Sequence, residues 1–246
     1  MIEFSISILA YNRCQLTRYC LNSVLSNSPR LAGVCEILVT DNGCSDQTPE
    51  LLERLARRDP RLKVIRHQKN LGVIKAKNIA LRRASGRYFV SLDNDCSVDR
   101  RWLQYLREPM LGDPRIAQVG RSGGYGTLTR TGVGVRGKKL DYIDGSCFLT
   151  VTEIARKFGL CDEAYKFAYC EDSDYSLRLR KAGWKIARAP APVRHAEHKT
   201  AHGTGLNLKP FWKRNHALFI KRWGGYLKDG KFGHPGEPSG PTNDGG

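Results

Sequence analysis

The chain is short of acid. It carries 24 Asp and Glu against 41 Lys and Arg, a formal net charge of +17 and a sequence pI near 9.7. An excess of that size favours polyanionic partners such as nucleic acid, an acidic membrane surface or an anionic polymer, and it also fits a plain solvated basic surface. The sequence has no C-x-x-C pair among its eight cysteines, which speaks against a structural zinc site. No apolar run approaches the roughly 20 residues that a bilayer span requires. A charged region followed by a long apolar one is also missing from the first residues, so no secretory leader is expected; the expected location is cytoplasmic, with reduced thiols. No internal repeat is visible. What remains is ordinary globular composition, 40 % hydrophobic and 26 % charged. Its 246 residues are enough for a sizeable α/β core.

The first hundred residues alternate between two periods. "EFSISILAYN" reads as a buried strand, "QLTRYCLNSVLS" as a helix, and "CEILVTDNG" as a strand stopped by an Asn-Gly turn. A helix follows in "SDQTPELLERLARR", with Thr48 as expected N-cap and Pro49 at the first helical position. "LKVIRH" is a third strand, "VIKAKNIALRRA" a helix ending near Gly86, and "RYFVSLDNDCS" a strand that ends on acid. This alternation predicts a mostly parallel, Rossmann-like sheet flanked by helices, with ligands at the carboxyl ends of the strands. Asn12, Asp41 and Asp93 fall at three such ends, which suggests one shared cleft. Beyond residue 110 the pattern loosens into a Gly-rich basic stretch, then a strand over "DYIDGSCFLTV", a helix over "EDSDYSLRLRKAGWK" closed by Gly183, and a His-rich loop.

Asp93 and Asp95 flank a single residue. In extended backbone they point the same way, roughly 7 Å apart, and a divalent cation with oxygen ligands, Mn²⁺ or Mg²⁺, answers both charges. An Asx turn at a strand end explains the same residues without a metal.

Six ordered segments share a resemblance: "ISILAYNR", "VTDNGCSDQT", "NLGVIKAKNIAL", "ASGRYFVSLDND", "DGSCFL" and "YCEDSDYSLRLRKAGWK". Over about residues 4–200 the chain resembles a family 2 glycosyltransferase of the GT-A fold, an inverting, nucleotide-sugar-dependent enzyme. The resemblance implies a single α/β domain with a smaller acceptor-side half: residues 1–110 bind the nucleotide sugar and 111–205 bind the acceptor and carry catalysis. It places Ala10, Tyr11, Asn12, Arg13, Asp41, Asn70, Lys77, Asp93 and Asn94 around the donor, a UDP-sugar, and Asp95, Asp93, His195 and His198 around Mn²⁺ or Mg²⁺. Asp172 becomes the base and Glu171 its partner or an acceptor ligand, although both also suit the positive N-terminal end of a helix. Of the clustered histidines, His195 in "VRH" fits the metal best, His198 is second and His202 stays open. Lys77 stands where the family often has Arg, and Leu9 where it often has Pro. Arg178 is expected to brace its helix.

Residues 206–232 form a basic amphipathic C-terminal helix, and 233–246 a tail expected to be disordered. The helix could cap the core, lie on an anionic membrane, or grip a nucleic-acid backbone. The acceptor is accordingly a hydroxyl on nucleic acid or another polyanion, or an envelope glycan or lipid carrier at an anionic membrane. A nucleotidyltransferase and a non-catalytic sugar-nucleotide-binding module are the competing functions.

Overall fold

The computed structural model describes residues 2–29, 34–125, 140–196 and 205–228. Among these described residues eleven strands and seven helices follow one another: β1 (Phe4–Ala10), α1 (Cys14–Asn27), β2 (Cys35–Asn42), α2 (Thr48–Arg58), β3 (Leu62–His67), α3 (Gly72–Arg83) and β4 (Tyr88–Asp93) make the first half. Then come β5 (Cys96–Val98), α4 (Trp102–Gly112), β6 (Ile116–Gly120), β7 (Gly123–Tyr125), β8 (Leu140–Ile143), β9 (Cys147–Val151), α5 (Thr152–Phe158), α6 (Glu171–Lys181), β10 (Lys185–Arg188), β11 (Val193–His195) and α7 (Lys209–Lys228).

Seven strands form one sheet in the order β10-β6-β9-β4-β1-β2-β3. All neighbours run parallel except β9, which is antiparallel to both β4 and β6. The expected mostly parallel α/β sheet is therefore the observed one. Its two faces bury separate cores, because successive strand residues point to opposite sides. Ile37, Val39, Val90 and Leu92 join Leu21, Leu52, Trp102 and Leu106 under α1, α2 and α4. Leu38 and Phe89 join Ile74, Leu81, Ala155, Tyr175 and Leu179 under α3, α5 and α6. Phe219 and Trp223 of α7 belong to this second core, so the C-terminal helix caps it, while Trp212 stays 42 % exposed.

Three local expectations change. The stretch "DYIDGSCFLTV" is two strands rather than one: Asp144 turns the chain by accepting the Ser146 N–H at 3.0 Å, and β8 leaves the main sheet to pair with β7. Thr48 is the first residue of α2 rather than its cap, since Asp46 Oδ1 accepts the Thr48 N–H at 3.0 Å. The strand period stops at Asp93, so Asn94 and Asp95 lie in a turn. The Gly-rich stretch at 126–139, His198, His202 and the tail lie outside the described residues.

Candidate functional site

The carboxyl ends of β1, β2 and β4 open onto a cleft of about 680 Å³, a volume suited to a ligand of nucleotide-sugar size. Tyr11, Asn42, Asn70, Lys77, Asp93, Asp95 and His195 are among the residues that line it. Arg121, Asp144, Tyr169, Glu171 and Asp172 line it as well. The two acidic pairs expected from the sequence thus share one space.

Asn94 anchors the turn that carries the first acid pair. Its side-chain amide donates to Thr17 Oγ1 at 2.8 Å, tying the turn to α1 and leaving Asp93 and Asp95 to face the cleft. Asp95 Oδ1 lies 3.1 Å from His195 Nε2 on β11, which pairs with β5 across the turn. Carboxylate oxygens and one imidazole nitrogen suit Mn²⁺ or Mg²⁺, and so the donor set fits the implied ion. Cys96 also brings its sulfur within 4.8 Å of the Asp95 and His195 ligand atoms, but burial and the nearby Asp93 charge hold it as a neutral thiol. Burial, with Asp95 beside it, pushes the Asp93 carboxyl up to about 6. The His195 imidazole is raised by its hydrogen bond to Asp95.

Lys77, buried on α3, donates to the Gly145 carbonyl at 3.2 Å and lies 3.9 Å from Asp93 Oδ1. Burial works against its charge, yet Asp93, Glu171 and Asp172 together raise its pKa. It is therefore a cation placed between Asp93 and the pair Glu171–Asp172.

Asp172 Oδ1 accepts the Ser173 N–H at 2.7 Å, and Oδ2 accepts the Gly145 N–H at 2.9 Å. Among the described residues Glu171 Oε2 is buried without a hydrogen-bond partner, as is Arg121 Nε, which also belongs to a residue lining the cleft. Burial and the charge of Asp172 push Glu171 up to about 7, and burial also raises Asp172. A carboxylate tuned toward neutrality beside an unpartnered acceptor oxygen can take a proton from a bound hydroxyl. Arg178 braces the helix as expected: Nε donates to Asp174 Oδ2 at 2.7 Å, and its remaining nitrogens reach the Phe158, Gly159 and Leu160 carbonyls.

Not every expected donor residue reaches the cleft wall. Ala10 is fully buried, and Asp41 is buried with Oδ1 accepting the Cys44 N–H at 2.9 Å and Oδ2 3.5 Å from Arg66. Asn12 accepts the Ser45 N–H at 2.8 Å, and Arg13 lines a separate, more open depression with Asp46 and Glu50. Conversely, Asn42 and Asp144 line the cleft without having been marked by spacing. Asn42 accepts the Leu71 N–H at 3.1 Å and donates to Asn70 Oδ1 at 2.9 Å, fixing the β2 end against α3. Asp144 is held by Ser122 and Ser146. The only signal for Asp144 was its place in the "DGS" turn.

A family model described as Glycosyl transferase family 2 matches residues 5–157. "Glycosyltransferase AglD" of Haloferax volcanii is 25 % identical over 205 residues, 77 % of this chain and 32 % of that protein. Among solved structures, GalNAc-T7 with UDP, GalNAc and Mn²⁺ superposes with a TM-score of 0.71 at 19 % identity, over 93 % of this chain and 50 % of that one. The mannosyltransferase PcManGT from Pyrobaculum calidifontis, in complex with GDP-Man and Mn²⁺, gives 0.69 at 18 % identity, over 93 % and 65 %. The fold is thus shared with these enzymes, whereas the chain spans only about a third of the curated relative's length.

Proposed function

The chain belongs to glycosyl transferase family 2, and from that premise we propose that it moves a sugar, with inversion, from a UDP-sugar to a hydroxyl on an anionic acceptor. The observation that carries the reading is the convergence of Asp93, Asp95, His195, Lys77, Glu171 and Asp172 on one cleft. Asp93, Asp95 and His195 would hold Mn²⁺ or Mg²⁺, which supplies charge neutralisation for a departing diphosphate. Lys77 adds a fixed positive charge beside them. Tyr11, Asn42 and Asn70 form the wall against which the nucleotide lies. Asp172 takes the acceptor proton, and Glu171 Oε2 accepts a hydrogen bond from a sugar hydroxyl. The unpartnered Oε2 favours a second reading in which Glu171 is itself the base. Comparing Asp172→Asn with Glu171→Gln decides it, because the base variant loses kcat and the binding variant mainly raises KM.

Support for an anionic acceptor comes from the +17 charge and from α7, which has six Lys and Arg and no acid in 20 residues. Trp212, Lys213 and Lys221 are exposed on it. Two acceptor arms are tested together. Transfer to oligonucleotide that falls steeply with salt supports nucleic acid. Flotation with phosphatidylglycerol vesicles that requires α7 supports a membrane-borne glycan or lipid carrier.

Incubation with UDP-sugars and Mn²⁺ tests the reaction class. Release of UDP is expected; no release of UDP, but pyrophosphate formed from a nucleoside triphosphate and a sugar 1-phosphate in a parallel incubation, would instead make the chain a nucleotidyltransferase, and no turnover in either incubation would leave a binding module.

A further inference from the structure

The backbone leading into the acid pair is twisted. Phe167, Tyr169 and Cys170 hold φ of 66°, 82° and 69°, three of the six non-glycine residues at positive φ among the described residues. L-residues disfavour this region, so such a run persists only when its surroundings over-determine it.

Those surroundings are specific. Asn215 of α7 is fully buried and directs both ends of its side chain at this turn, with Oδ1 also accepting from Arg214 Nη1 at 3.3 Å. Its Oδ1 accepts the Lys166 N–H at 2.9 Å. Its Nδ2 donates to the carbonyls of Lys166 at 2.8 Å, Ala168 at 2.7 Å and Tyr169 at 3.3 Å. From the opposite side, the Phe167 carbonyl accepts the Val73 and Ile74 N–H groups at 2.6 and 3.3 Å, which closes the first turn of α3. Gly72 permits that approach, since a Cβ there would lie 2.7 Å from Phe167 Cα. The turn is therefore clamped between α7 and the helix that carries Lys77.

We infer that Asn215 is a positioning residue for the transfer site: it holds residues 166–169 in the twisted form that sets Glu171 and Asp172 against Gly145 and Lys77. This role rests on the assignment of Asp172 as the base, with Glu171 beside it as the hydroxyl ligand. Asn215 lies outside the stretch matched by the family model, so the C-terminal helix completes the site from beyond it. An amide suits the turn because one side chain both accepts an N–H and donates to carbonyls, its two N–H groups being shared among three of them.

The test measures kcat, donor KM and amide hydrogen exchange of residues 166–172 in Asn215→Ala. A displacement of order 1 Å costs up to about 10²-fold in rate, so kcat should fall about 30-fold with donor KM within about twofold. Exchange at 166–172 should rise. Cys170→Gly should restore kcat several-fold in the Asn215→Ala background, because glycine takes positive φ without strain. Should the alanine variant not fold, Asn215→Ser carries the same comparison. Phe219→Leu, on the same helix but off the turn, gives a control of matched stability loss. The inference is overturned if kcat stays within about twofold of the parent, if the control loses as much kcat, if kcat falls with exchange at 166–172 unchanged, or if Cys170→Gly restores nothing. Asp172→Asn run alongside separates the premise: full activity there removes the acid–base assignment, and this role for Asn215 with it, however exchange responds.

Discussion

Asp93 hangs on the end of β4, which pairs with β1 from Phe4 opposite Tyr88 to Leu9 opposite Asp93. Glu171 and Asp172 instead ride on a twisted turn held by side chains up to 49 positions away. On the donor side, the hydrophobic alternation of three neighbouring strands places the functional groups and needs little else. On the acceptor side, placement depends on polar groups from α3, the β8–β9 turn and α7 acting together. The first arrangement tolerates loss of any one contact, because the sheet supplies the frame. The second makes each buried hydrogen bond part of the geometry.

The largest expected effect breaks the acceptor side at its centre. Asp172→Asn keeps the shape and can still meet Ser173, but it cannot take a proton. Its kcat should fall by about 10²–10⁴-fold, with donor KM little changed, in a steady-state assay of UDP release. A rise confined to KM would assign Asp172 to binding. On the donor side, His195→Ala should weaken Mn²⁺ binding by about 10–100-fold by calorimetry, and Asp95→Ala at least as much, while the fold stays intact. Unchanged Mn²⁺ affinity in both would remove the metal assignment.

A smaller effect contrasts stability on the two sides. Asp174 is fully buried and accepts from Arg178 at 2.7 Å, Tyr165 at 3.0 Å and Trp223 Nε1 at 2.9 Å. Asp174→Ala leaves three donors without their acceptor, so it should cost about 1–3 kcal/mol or more in denaturant unfolding. Thr17→Val removes only the acceptor of the Asn94 amide and should cost about 1 kcal/mol. Equal costs would mean that the acceptor side is no more dependent on its polar contacts than the donor side is.

The same difference explains what could be read from the chain. β1 to β4 and their helices were legible because each carries its own period, and Asp93, Asp95, Glu171, Asp172 and His195 stood out as acids or imidazole at element ends. Asp46 before α2, Asn42 beside Asn70, and Asp144 in its turn were hidden among ordinary loop residues. Their roles come from partners distant in sequence, which no local pattern marks. Asn215 is the extreme case: it sits in the middle of a helix, where a buried Asn carries no signal until the turn it holds is in place.

The pair Glu171–Asp172 gives the finest test, since its effects on stability and activity should run in opposite directions. Burial and the neighbouring charge put the folded pKa of Glu171 at about 7, above its ordinary value of 4.5. A carboxyl with a raised folded pKa binds its proton more tightly when folded, so its stabilising contribution is full below about pH 4.5 and is lost as pH rises through about 7. In the reading that makes Glu171 the base, catalysis needs its ionised form, so kcat should climb across that window. Other groups titrate nearby: burial lowers the His67 pKa, which works against stability on the acid side. The useful quantity is therefore the difference between parent and Glu171→Gln. The variant cannot ionise, so the parent should lose thermal stability relative to it between pH 5.5 and 8. Parallel stability profiles would show that Glu171 is already ionised at pH 5.5, and a kcat that still rose with pH would then belong to Asp172 alone.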